Sequence, residues 1–177
     1  MRRDLFIHYA FWFAFFVLVS ILGGKVSLGY WPFWVGGAIG TILPDIDHLI
    51  YIFFLNPHEL TSQRVNYLIK KKEVARARTL LYETKSERRN MIFHSFVFQV
   101  IFMLLTFLII SSSDSVFVYG IVLAFSLHFL VDQFIDLIDN KNLNNWGQLI
   151  SGGLDYRKSI IYIAASFLLL FLMGLSA

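Results

Sequence analysis

The chain has 177 residues, of which 57% are hydrophobic, 18% aromatic and only 15% charged, with a mean hydropathy of +0.64. A soluble domain carries roughly a quarter charged residues, so this composition excludes an ordinary water-soluble enzyme and points to a membrane protein; no nucleic-acid partner is expected. There is no cysteine, which excludes disulfides and thiolate chemistry and leaves the redox compartment undetermined.

The first apolar segment, Leu5–Leu22, follows Met1-Arg2-Arg3. It is too long for a signal peptide, lacks an A-x-A cleavage site and is followed by more apolar segments, so it reads as a retained anchor. The second, Tyr30–Leu55, contains "LPDIDHLI" at 43–50, two carboxylates and an imidazole in an otherwise apolar run. Residues 56–90 form the one sizeable polar insertion. Asn56-Pro57 closes the second segment, and Leu60, Val65, Leu68, Ile69, Val74, Leu80 and Leu81 then recur at roughly helical spacing between basic residues. One or two amphipathic helices lying on an anionic leaflet are expected there, a solvated loop being the alternative.

The third segment, Met91–Ser111, opens near His94. The fourth, Val116–Ile138, carries His128, Asp132 and Asp136 at i, i+4 and i+8, on one helical face. The last is Ser159–Ser176. Each is near the ~20 residues that cross a ~30 Å hydrocarbon core. Only helices satisfy their backbone groups in lipid without partners. The predicted fold is therefore all-α and polytopic, one transmembrane domain over 1–177 with about five spans and a basic cytoplasmic insertion at about 56–90.

Orientation follows from lysine and arginine. With a cytoplasmic N-terminus, fourteen of the fifteen basic residues fall on the inner side and only Lys25 falls outside. That topology puts His8, Asp45, Asp47, His48, His94, His128 and Asp132, from four different spans, at one depth near the cytoplasmic face. Ionisable groups in a span cost from ~3 to more than 10 kcal/mol and need a partner or a task. Aspartates and neutral imidazoles gathered in a small volume are what a divalent cation requires. Mixed nitrogen and oxygen ligands suit zinc, with manganese or iron next. There is no H-E-x-x-H, no G-x-S-x-G and no Walker pattern. The candidate metal ligands are His8, Asp45, His48, His94, His128 and Asp132. Asp47 is a ligand, a support for one, or a general base, and His94 is a ligand or a proton donor. Arg88 and Arg89, beside His94, are candidates for an anionic head group.

At these residues the sequence resembles the YdjM/DUF457 group of membrane-bound, metal-dependent hydrolases. The resemblance lies in "GGAIGTILPDIDHL" at 36–49, "FHS" at 93–95 and "HFLVD" at 128–132, with His8 near the start. It runs from about residue 5 to 139. Members of that group often carry H-R-G-x-T-H-S before the third span. Here "RNMIFHS" puts Arg89 in place of the first histidine, Met91 of the glycine and Phe93 of the threonine, so one ligand for a second metal is missing. The resemblance implies a hydrolase, and the group's similarity to zinc-dependent phospholipase C enzymes implies phosphoester cleavage. The expectation is thus a metal-dependent lipid hydrolase in the cytoplasmic (inner) membrane of a prokaryote, acting on membrane lipids such as an anionic phospholipid. The alternative is a non-enzymatic protein: a metal-stabilised scaffold or adaptor or, since the outer half is nearly bare of charge, less readily a metal or proton transporter.

Overall fold

The computed structural model describes residues 2–84, 88, 91–146 and 154–177. Among these the regular structure is helical: α1 (Arg2–Leu22), α2 (Trp31–Gly40), α3 (Ile46–Ile50), α4 (Leu60–Lys70), α5 (Val74–Glu83), α6 (Phe96–Ser112), α7 (Val116–Asn140) and α8 (Tyr156–Ser176). Four stretches are long and apolar enough to cross a membrane, Leu5–Leu22, Leu28–Leu55, Val116–Asn140 and Tyr156–Ser176. The expected third span is shorter than the sequence suggests. Its helix begins at Phe96 because Ser95 caps it, Oγ accepting from Phe98 N at 3.3 Å. At 1.5 Å per residue its 17 residues cover about 25 Å, less than a full hydrocarbon core. Residues 91–95 are left as an irregular segment with a role in the polar site.

The second span is not one regular helix. Pro44 has no N–H to continue the ladder, and the chain tightens to a 3₁₀ turn over Leu43–Asp45 before α3 resumes. A π-helical turn over Tyr51–Leu55 then ends it. Such irregularities re-aim side chains that a straight helix would scatter, and π turns often mark functional sites.

α7 is the hub, with 72% of its spanning window buried against 28% for α1 and α8. Its closest neighbour is α2. A Cβ on Gly36 would collide with the Phe117 carbonyl, one on Gly40 with Ile121, and one on Gly120 with the Phe33 carbonyl and the Gly37 nitrogen. In lipid, where apolar burial alone does not drive helices together, this close approach of small residues supplies the van der Waals contact that does. Phe15, Phe16, Val19, Phe33 and Leu123 fill the space beside it.

α6, α7 and α8 are joined by a polar knot. Gln99 and Gln133 exchange amide hydrogen bonds, and Tyr162 Oη donates to Gln99 Oε1 at 2.7 Å. At the far end of the bundle Lys25 Nζ donates to Gly174 O and Leu175 O, both at 3.1 Å, a cation placed where the C-terminal carbonyls of α8 carry partial negative charge. Partial burial lowers the pKa of Lys25 below its ordinary value. The insertion forms a hairpin of α4 and α5. Val65 and Ala77 are buried against Tyr51 and Ile52, with Leu68, Ile69, Leu80 and Leu81 packed on them. Much of its apolar stripe therefore faces the protein, leaving Leu60, Tyr67 and Val74 exposed.

Candidate metal centre

The site begins with Asp132, one helical turn past His128 on the buried face of α7 and only 1% exposed. Three imidazoles from three different parts of the chain converge on its carboxylate. His8 Nε2 of α1 lies 3.5 Å from Oδ1. His94 Nε2, just before α6, lies 3.1 Å from Oδ2, and His128 Nε2 lies 3.2 Å from the same oxygen. The His8 and His128 rings are 4.1 Å apart, centroid to centroid.

What these nitrogens carry follows from their other contacts. His128 Nδ1 lies 2.7 Å from the Thr41 carbonyl, which can only accept, so Nδ1 holds the proton. Its Nε2 then directs a lone pair at a carboxylate, and this buried atom makes no hydrogen bond although Asp132 is within 3.2 Å. His94 is fixed in the same sense. Asp47, 0% exposed, accepts from the backbone N–H of Ile92 at 3.2 Å, Phe93 at 2.7 Å and His94 at 3.2 Å. With both oxygens already accepting from backbone N–H groups, Asp47 faces His94 Nδ1 at 3.1 Å as an acceptor, and His94 Nδ1 is the donor in that pair. Its Nε2 faces Asp132.

Two lone pairs pointing at a buried carboxylate repel unless something positive lies between them, a proton on each ring or one cation. The spacing is that of hydrogen-bonded pairs and equally that of ligands sharing one cation. Ligand bonds of about 2.0–2.1 Å at tetrahedral angles put ligand atoms about 3.3 Å apart, and the three separations to Asp132 bracket that value. His8, His128 and Asp132 form a buried group that could hold a metal ion, their ligand atoms all within 4.8 Å of one another. His94 adjoins this group through Asp132. A carboxylate that fixes a ligating histidine through its far nitrogen, as Asp47 is placed to do for His94, is a common support of metal sites.

The other candidates lie around this centre. Asp45, whose side chain is 39% exposed, stands 3.7 Å from His128 Nε2 and 4.0 Å from His48 Nε2, at the edge of the cluster. His48 stacks on His94 at 5.3 Å, but its Nδ1 accepts from Arg88 Nε at 3.3 Å. That bond places the His48 proton on Nε2, where a ligand would need a lone pair. Arg88 is buried and also donates to Thr84 Oγ1 at 3.0 Å and to the Leu81 carbonyl. It ties the end of the α4–α5 hairpin to the site. Arg89 lies outside the described residues. Asp136 accepts from Trp146 Nε1 at 2.7 Å, away from the cluster.

Two contributors carried no signal in the sequence. The Thr41 carbonyl becomes an acceptor for His128 only because α2 ends where α7 crosses it. Trp146, in a polar run, is buried over the His94 ring at 5.5 Å. No curated protein and no solved structure matches the chain. The family model of the YdjM inner membrane protein matches residues 4–137, a stretch that contains His8, Asp47, His94, His128 and Asp132, and the chain belongs to that inner membrane protein family.

Proposed function

We propose that this protein is a metal-dependent hydrolase of the inner membrane whose substrate is a lipid, with a phosphoester as the bond cleaved. The observation that carries the reading is the convergence of His8, His94 and His128 on Asp132, with two of the three nitrogens obliged by their other hydrogen bonds to present lone pairs. His8, His128 and Asp132 would hold the ion and His94 would join them, a donor set that suits zinc first and manganese or iron next. A divalent ion held there polarises a phosphoryl or carbonyl oxygen and makes bound water a stronger acid.

The protein's own groups divide the remaining work. Asp47 is fully buried and accepts four hydrogen bonds, so the general-base role expected of it passes to Asp45, and Asp47 orients His94. Asp45 is the exposed carboxylate beside the cluster and is placed to take a proton from attacking water. Arg88 is occupied in holding His48, so attraction for an anionic head group is assigned to the basic hairpin, with Arg64, Lys70, Lys71, Lys72, Arg76 and Arg78. A cytoplasmic N-terminus in a prokaryotic membrane is part of the same proposal; the orientation is supported by the fourteen basic residues that it puts on the inner side, and it would bring hairpin and cluster to the same leaflet.

The burial of His8, His94, His128 and Asp132 favours a second reading, in which the ion only stabilises a scaffold. Metal analysis and lipid turnover on detergent-purified protein separate the two. Wild type is expected to hold a divalent ion and cleave a phospholipid, Asp132→Ala to lose both, and Asp45→Asn to keep the ion and lose turnover. An ion without turnover on any common phospholipid leaves the scaffold; no ion at all removes both readings.

A further inference from the structure

On the face of α7 roughly opposite Asp132, a cavity of about 460 Å³ opens between α1, α7 and α8. None of the cluster residues lines it. Its floor is Leu127, Leu130 and Phe134 of α7; its walls are Phe11 of α1 and Ile160, Ala164 and Phe167 of α8. The shape follows from how α8 is held. Near its C-terminal end it meets α1 closely, Phe15 against Phe167 at 6.0 Å and Phe171 at 6.4 Å, with Gly174 lying under Val19. Its other face is tied through Tyr162 to Gln99. Among the described residues no such ring contact joins α1 to the first turns of α8, and the small Ala164 leaves the wedge open. The α8 wall lies beyond the residues matched by the family model.

The wedge is almost wholly apolar along its length but not at its end. Tyr156 lines its rim, and the next two residues, Arg157 and Lys158, are exposed. Lys158 is paired with Asp155 at 3.5 Å. A narrow apolar trough inside a spanning bundle, closed at one end by aromatic contacts and reaching at the other Tyr156, whose neighbours Arg157 and Lys158 complete the first turn of α8, is complementary to one chain of a lipid with a negative head group. Its volume lies within the ~300–1,000 Å³ of small-molecule sites.

We infer that the wedge between α1, α7 and α8 is a binding site for one acyl chain of an anionic phospholipid, its phosphate held at Arg157 and Lys158, separate from the His/Asp cluster. The inference does not depend on the hydrolase reading.

The test is photolabelling of the purified full chain with phosphatidylglycerol bearing a diazirine in one acyl chain, the labelled peptides being mapped by mass spectrometry. Label is expected to concentrate on the 127–138 and 156–167 stretches. Ala164→Phe, which fills the trough, should lower it at least tenfold, with a thermal melt confirming the fold. If that variant does not fold, Ile160→Trp, at a half-exposed position, serves instead. Phosphatidylcholine with the same chain should label several-fold less, and Arg157→Glu with Lys158→Glu should remove the difference between the two lipids. Label spread equally over the exposed α6 residues Leu104 and Leu108, label unchanged by both trough-filling variants, or no preference for the anionic lipid would overturn the inference. So would α8-to-α8 crosslinks in place of lipid label, which would make the wedge a surface for a second copy.

Discussion

The two ends of this bundle are held together by different physics. At one end, Gly36, Gly40 and Gly120 let α2 and α7 touch backbone to backbone, and Gly37 makes room for Trp12 and Phe16 of α1. At the other, Asp47, His94, Asp132, His8 and His128 meet through charge and hydrogen bonds. The first arrangement depends on the absence of side-chain volume and tolerates nothing added. The second depends on a particular set of donor and acceptor atoms and tolerates little chemical change at constant volume. A fold that keeps its polar groups at one end can leave the rest of its length apolar, so the cost of ionisable residues in a span is concentrated where they have partners.

The contrast can be broken from either side. The largest effect is expected from Gly120→Leu. Its side chain would enter the Phe33 carbonyl and force α2 from α7, at about 3 kcal/mol or more, since backbone rather than a flexible side chain must yield. Loss of monodisperse protein in detergent is the readout, and a well-folded variant would show that the helices have room to separate. Next comes Asp47→Asn, nearly isosteric. The amide cannot hold the same three backbone donors as a charge does, and His94 loses the partner that fixes its proton on Nδ1. Metal affinity is expected to fall about 10–100-fold, measured by competition with a chelator, while the fold persists.

Smaller effects sharpen the comparison. Gln99→Leu removes one half of the amide pair and the acceptor of Tyr162. Interhelical hydrogen bonds in membranes average about 0.6 kcal/mol, so a loss of about 1 kcal/mol is expected, read as a shift in the melting temperature. A loss as large as that from Gly120→Leu would mean that polar contacts dominate both ends. The smallest change is at Asp155, which caps α8 by accepting from Lys158 N at 2.8 Å, a bond that lowers its pKa from the ordinary 3.8. Because the folded value is depressed, the contribution is present above about pH 3.8 and is lost as pH falls through the lowered value. Asp155→Ala should flatten the pH dependence of the melt in that acid range and lower the melt slightly at neutral pH, where the cap is otherwise intact.

Much of the candidate site was legible in the order of residues. Counting lysines and arginines placed the polar residues of four spans at one depth, and the structure brings His8, Asp47, His94, His128 and Asp132 into one cluster. The i, i+4 spacing of His128 and Asp132 was enough to put both on one face of α7. Asp45 and Asp47 were harder, because two positions apart on a regular helix they diverge. Pro44 made a distortion foreseeable but not its outcome, in which Asp47 turns inward to the 92–94 backbone and Asp45 stays at the exposed edge. The start of α6 at Phe96 was also hidden, since 91–95 are as apolar as the helix they precede and only the Ser95 cap marks the boundary.

By itself the sequence determined that the chain is a membrane protein of apolar helices and where four of its five expected apolar segments are long enough to span, because composition, segment length and periodicity are local properties that lipid reads directly. The roles of the individual groups were decided by tertiary structure. Whether an imidazole offers a lone pair or a proton depends on what faces its second nitrogen: a carbonyl of Thr41 for His128, a carboxylate of Asp47 for His94, a guanidinium of Arg88 for His48. Each of those partners is at least forty residues away along the chain or belongs to another helix, so no local pattern encodes it, and only the packed fold assigns the proton.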